Sequence, residues 1–173
     1  MDIQQIIQLF LPLSPEKRAA LMSESLFGFD ALVGMRFSHV AEDRVSATLE
    51  VTDRHVQPYG LVHGGVYATL GESACSVGAA MAVMPSGNHA VGVENITRFH
   101  RGTRPGTTLH IEAKPKSERG SHRTWEAIIT SRDGVRHATS RVTVAVLAPG
   151  TRIAGEDVEL IGGIDVEEKL RDE

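Results

Sequence analysis

Residues 66–84 read VYATLGESACSVGAAMAVM. The stretch is apolar almost all round and made of small residues. Its length favours a helix over a strand. A helix without a polar face has to be buried on most sides. Gly71 and Gly78 lie seven apart, hence on one side, and allow another backbone to come close. Glu72 and several Gly and Ser interrupt the apolar run, so the segment reads as a buried core helix and not as a membrane span.

Working outward, the loop HVQPYGLVHGG (55–65) carries Pro58 and three glycines. The helix is therefore placed at about 64–84. Upstream, Val45, Ala47, Leu49 and Val51 alternate with Ser46, Thr48 and Glu50, which predicts a half-buried strand. An earlier strand is expected over about 32–40. Downstream, strands are expected over 90–101, 107–117, 123–131 and 135–147, with Asp133-Gly134 as a hairpin signal between the last two. Ile3, Ile6, Ile7 and Phe10 have helical spacing, and Pro12 ends that element. Ser14-Pro15-Glu16 looks like the start of a second helix, running to about Phe27 and stopped by Gly28. Helices, strands, one long buried helix and four more strands make an α+β chain, with an antiparallel sheet curled round the long helix. The expected organisation is an N-terminal helical extension (1–27), one domain (28–147) and an acidic C-terminal tail (148–173) without clear periodicity.

Composition narrows the function. The chain has 173 residues, of which 41% are apolar, enough for a real core. The single cysteine, Cys75, excludes an internal disulfide framework and a multi-cysteine zinc site, and reads as a buried structural residue. The N-terminus has an acid at position 2 and no base before Lys17, the reverse of a signal peptide, so a soluble cytoplasmic protein is expected. The net charge of −4 hides a division: residues 148–173 carry −5 and the rest +1. Between Arg98 and Arg123 seven basic residues face two acidic ones. Such a cluster is either a solvated strand face or a site for a small polyphosphate. Nucleic acid fits poorly, because the domain is not strongly basic and the cluster has few aromatics. His100, His110 and His122 show no metal-ligand spacing, and no metal or other cofactor is expected.

The chemistry concentrates where the loop meets the long helix. If that helix begins near Gly65, its first N–H groups lack intrahelical partners and carry the positive end of the dipole. Gly64 and Gly65 let a ligand carbonyl approach the backbone, which describes an oxyanion site. Two turns on, Thr69, Glu72 and Ser76 share a face. A carboxylate in an apolar helix is costly unless it is solvated or hydrogen-bonded. A carboxylate, a hydroxyl and backbone donors together suit acyl transfer. Each member alone has a plainer reading: Glu72 as an ion-pair partner, His63 as a residue that fixes the loop, Thr69 and Ser76 as hydroxyls bonded back to helix carbonyls.

Gln57-Pro58-Tyr59-Gly60-Leu61-Val62-His63-Gly64-Gly65, followed by Leu70-Gly71-Glu72-Ser73, resembles the hotdog-fold acyl-CoA thioesterases. The likeness is greatest to the branch with glutamate-dependent 4-hydroxybenzoyl-CoA thioesterases and 1,4-dihydroxy-2-naphthoyl-CoA thioesterases. It extends over about 28–147 and includes Val91-Gly92-Val93-Glu94-Asn95, Arg98-Phe99-His100-Arg101 and Gly120-Ser121-His122. The resemblance implies that Glu72 is nucleophile or general base. It implies that Gly64 or Gly65 N–H polarises the thioester carbonyl, that Gln57 binds near that carbonyl or orients water, and that His63 holds the loop. Ser76 would position water or the acyl group. Arg101, Ser121 and His122 would contact the nucleotide and phosphates of coenzyme A, which enters as part of the substrate. The resemblance also implies a homodimer or homotetramer with the active site between subunits, and an acyl group that is aromatic. Gly102 stands after Arg101 where many relatives have Pro. Two other readings are a non-catalytic acyl-CoA-binding sensor on the same fold, which Glu72 and Gln57 count against, and a dehydratase of β-hydroxyacyl thioesters.

Overall fold

The computed structural model describes residues 6–153 and 155–157. Helix α1 (Pro15–Glu24) starts where the sequence places it: Ser14 Oγ accepts the Lys17 N–H at 3.2 Å, and Pro15 takes the first helical position. Before it, Ile6–Phe10 forms one π-helical turn. Ile3, expected on the same helical face, lies outside the described residues.

Gly28 does not end a helix; it opens one. Helix α2 (Gly28–Val33) is closed by Gly34, whose φ of 79° is left-handed. The strand expected from residue 32 therefore starts only at Arg36. Six residues are too few to sustain a helix by themselves. Tertiary bonds hold α2 instead: Ser73 Oγ donates to Asp30 Oδ1 at 2.6 Å, and His55 Nε2 donates to Val33 O at 2.9 Å.

The sheet consists of β1 (Arg36–Val40), β2 (Val45–Glu50), β3 (His89–Phe99), β4 (Thr108–Arg119), β5 (His122–Ser131) and β6 (Arg136–Leu147). Its order is β1-β2-β4-β5-β6-β3, antiparallel throughout. Alternate residues face inward, as period two requires: Val45, Ala47 and Leu49 on β2, Trp125, Ala127 and Ile129 on β5. Against that face packs helix α3 (Gly64–Val83), burying Leu70, Ala74, Cys75 and Ala79 completely. By length and composition Gly64–Ser86 is apolar enough to cross a membrane, but half of it is buried inside this fold.

The two helix glycines do permit close approach, but what approaches is side chain. A Cβ on Gly71 would run into the Ser140 side chain, and one on Gly78 into the Trp125 ring. Burial pushes the Cys75 thiol well above its usual range, with the Glu72 and Glu126 charges adding to the effect. Beyond Leu147 the described tail contains only a two-residue ladder, β7 (Arg152–Ile153) with β8 (Glu156–Asp157). Most of the acidic tail lies outside the described residues.

Candidate active site

The loop before α3 is fixed by its own backbone. Gly60 N–H donates to Gln57 O at 2.8 Å, with Pro58 second and Gly60 fourth in the turn. Gln57 N–H donates to Leu61 O at 2.8 Å, and Val56 bridges Val62. Tyr59 stands at the tip, 84% exposed. The half-buried Gln57 side chain makes no hydrogen bond among the described residues.

His63 is the N-cap of α3. Its Nδ1 accepts the Gly65 N–H at 2.9 Å, so the ring proton sits on Nε2. The loop-fixing reading of His63 is thus what the geometry shows. The same bond occupies Gly65 N–H. Gly64 N–H makes no hydrogen bond among the described residues and stands as the open donor at the positive end of the helix. The Phe99 ring lies over Gly64, where a Cβ would come within 2.8 Å of it.

Glu72 is half-buried and held from two sides. Ser76 Oγ donates to Oε1 at 3.2 Å and Asn95 Nδ2 to Oε2 at 2.9 Å. Asn95 Nδ2 also donates to Ala68 O at 3.0 Å, and Asn95 Oδ1 accepts from Thr97 Oγ1 at 2.7 Å. Thr97 Oγ1 in turn lies 2.8 Å from Ser140 Oγ. These partners meet the solvation cost of a carboxylate on an apolar helix. Strand β3 carries a bulge between Gly92 and Glu94, and a Cβ on Gly92 would lie 2.7 Å from Glu72 Oε1. The bulge and the bare glycine let the strand pass beside the carboxylate. Asn95 had no role in the sequence reading beyond its place in the matched segment. A contact across 23 residues between strand and helix leaves no local pattern. Thr69 Oγ1 donates to Gly65 O at 2.9 Å, the helix back-bond that its type allows.

The three residues expected at coenzyme A do not meet within one chain. Arg101 N–H donates to His137 O beside the start of β6, whereas His122 pairs with Ala145 near its end. Along the strands these points are roughly 25 Å apart. The basic cluster is divided as well. Lys114 pairs with Glu112 at 2.7 Å, Lys116 with Glu126 at 2.8 Å and Arg123 with Glu118 at 3.2 Å. Lys116 and then Arg141 hold the Glu126 carboxyl below its usual range. Arg101 and Arg104 instead share an open groove of ≈ 690 Å³ with Arg132, Thr103 and His137.

A chain of hydrogen bonds, buried from Tyr67 to His137 and exposed at Asp133, ties that groove to α3. Tyr67 Oη donates to Thr103 Oγ1 at 2.6 Å, and Thr103 Oγ1 lies 2.7 Å from His137 Nδ1. His137 Nε2 lies 2.9 Å from Ser131 Oγ, which donates to Asp133 Oδ1 at 2.6 Å. His137 Nδ1 also lies 3.3 Å from Arg101 O, so the ring joins β6 to the 101–103 segment on one side and to Ser131 on the other. Burial raises the Tyr67 hydroxyl above its ordinary value, and the Ser131 hydroxyl lowers the Asp133 carboxyl.

The site thus stands on a six-stranded antiparallel sheet round one long helix, with a capped glycine turn at the helix start and a glutamate two turns on. The model of the thioesterase superfamily matches residues 59–138. The 1,4-dihydroxy-2-naphthoyl-CoA hydrolase of Escherichia coli K12 is 31% identical over 135 residues, 76% of this chain and 98% of that one. The proofreading thioesterase EntH of Cronobacter turicensis is 31% identical over 66% of this chain and 82% of its own. The solved thioesterase HI1161 of Haemophilus influenzae superposes with a TM-score of 0.68 at 25% identity, over 79% of this chain and 92% of that one. The chain belongs to the thioesterase superfamily and is a thioester hydrolase.

Proposed function

We propose that the protein hydrolyses acyl-CoA thioesters, with Glu72 as the catalytic carboxylate and aromatic acyl groups as the preferred class. The observation that carries this is Glu72 itself. It is half-buried and oriented by Ser76 and Asn95, on a helix whose first free N–H belongs to Gly64. Gly64 N–H binds the oxygen on which negative charge develops. Glu72 then acts in one of two ways. As nucleophile, its oxygen attacks the carbonyl carbon, the C–S bond breaks, coenzyme A leaves as thiolate and takes a proton, and water hydrolyses the resulting anhydride. As general base, it takes a proton from the water that attacks and passes it to the leaving sulfur. Ser76 and Gln57 orient water or carbonyl in either route.

Gly64 and Glu72 are eight residues apart, about 12 Å along the helix axis. A thioester carbonyl polarised by one and attacked from the other is better served by two copies whose helices face each other. The edge strand β3 exposes Val93, Ile96 and Phe99, at 56%, 47% and 59%, as a second copy would require. Arg101, with Arg104 and Arg132, would take coenzyme A phosphates, and Ser121 and His122 would join them from another copy. No metal or separate cofactor enters this scheme. The aromatic preference rests on the resemblance to the glutamate branch and on the naphthoyl substrate in the name of the Escherichia coli relative.

The test is thiol release from benzoyl-, phenylacetyl- and hexanoyl-CoA. We expect the highest kcat/KM for an aromatic ester. A hexanoyl ester in first place overturns the aromatic preference, and no thiol release from any ester overturns the acyl-CoA reading.

A further inference from the structure

Strand β3 is an outer edge of the sheet, bonded to β6 on one side. From Glu94 to Phe99 its register against β6 is regular. Asn95, Thr97 and Phe99 stand opposite Val142, Ser140 and Ala138, which are buried, so they lie on the face toward α3. Glu94, Ile96 and Arg98 lie on the outer face. The side chains of Glu94 and Arg98 make no hydrogen bond or ion pair among the described residues. Arg98 borders a hollow of ≈ 240 Å³ with Arg136 and Arg141, and the acid there, Glu126, already holds Lys116 and Arg141. An open edge of this kind is a template for another strand.

The edge is complementary to itself. Residues directly opposite in an antiparallel pair share a face, so a two-fold pairing of β3 with a second β3 is centred on a residue. Centred on Ile96, it sets Glu94 against Arg98 of the second copy, twice, Asn95 against Thr97, and Ile96 against its own counterpart. Other centres serve the edge less well. Glu94 or Arg98 at the centre puts like charges face to face. Asn95 at the centre sets Glu94 against Ile96, and Thr97 at the centre sets Arg98 against Ile96, so a charge meets an apolar group in each.

We propose that β3 pairs with β3 of a second copy in the register centred on Ile96, fixed by two Glu94–Arg98 ion pairs. This rests on the two-copy site proposed for Glu72 and gives it a geometry. In this register Phe99 of the second copy lies across from Val93, with the strands about 5 Å apart. The Phe99 ring covers Gly64, and Val93 lies between Gly92, which is beside Glu72 Oε1, and Asn95, which holds Oε2. The pairing therefore brings the Gly64 end of one long helix to the Glu72 face of the other.

The test counts dimers by native mass spectrometry after equal co-expression of differently tagged chains. Glu94→Arg and Arg98→Glu each set like charges opposite one another in their own dimers, and opposite charges in the hybrid of the two. Hybrids are expected to rise from the random half to about nine-tenths of the dimers. The double variant Glu94→Arg/Arg98→Glu restores both pairs with itself and loses both with wild type. Its hybrids with wild type are expected to fall to about a tenth, and this mixture needs neither single variant to fold. A random proportion of hybrids in the double-variant mixture overturns the register, and a monomeric wild type overturns the second copy. These counts involve no thiol release, so a chain inert toward every ester overturns the acyl-CoA reading while the register is still decided by mass.

Discussion

Asn95 Nδ2 lies 2.9 Å from Glu72 Oε2, and its amide is fixed by Thr97, which is fixed in turn by Ser140. Side-chain amides of this kind act by orientation: they hold a carboxylate in the rotamer that faces substrate. Asn95→Asp keeps the shape and sets a second carboxylate beside the first. Two carboxylates at this distance resist ionising together. The acid limb of the kcat–pH profile is therefore expected to move to higher pH, and the melting temperature to fall as well, because the bond to Ala68 O is also lost. A loss of kcat without movement of that limb would make Asn95 a packing residue only. The placing of Gly64 and Glu72 two turns apart on one helix was legible in the sequence, because helix starts and i, i+4 faces are local patterns. The partner on β3 was not legible, since register between a strand and a distant helix is set by the whole sheet.

The long helix was readable to within a residue or two, since a twenty-residue apolar run has few other places in a fold. Its glycines carry the packing. Gly78 lies against the ring of Trp125, the only tryptophan in the chain. Gly78→Ala forces a methyl into that ring where both sides are buried. Overpacking of this kind costs about 1–3 kcal/mol. The variant is expected to melt several degrees lower when followed by Trp125 fluorescence, and an unchanged melting point would contradict the packing described. The short helix α2 shows the opposite case. Leu32 and Val33 read as the start of a strand, yet Gly34 in left-handed geometry and the bonds from Ser73 and His55 make the segment helical. A six-residue helix owes its existence to those contacts, which no window of local sequence contains.

At the scale of the whole molecule the sheet ends on β3, an eleven-residue edge with exposed apolar groups, next to the helix face that carries Glu72. The basic cluster that looked like one site resolves into paired strand charges and a separate arginine groove at one end of the sheet. Both observations suit a site completed between copies. In the proposed function a thioester is cleaved between Glu72 of one copy and Gly64 N–H of another. Glu72→Gln removes the reacting oxygen. Gly64→Pro removes the N–H at a first helical position, where the backbone accepts proline, although the Phe99 ring has to shift to admit its Cβ. Each variant alone is expected to lose about 10²–10³-fold in thiol release. When the two are co-expressed, half of a randomly mixed two-fold dimer population is hybrid with one intact site, so about a quarter of wild-type activity should return. A mixture as inactive as its parents would contradict the shared site, and a fully active Glu72→Gln would contradict the catalytic carboxylate itself.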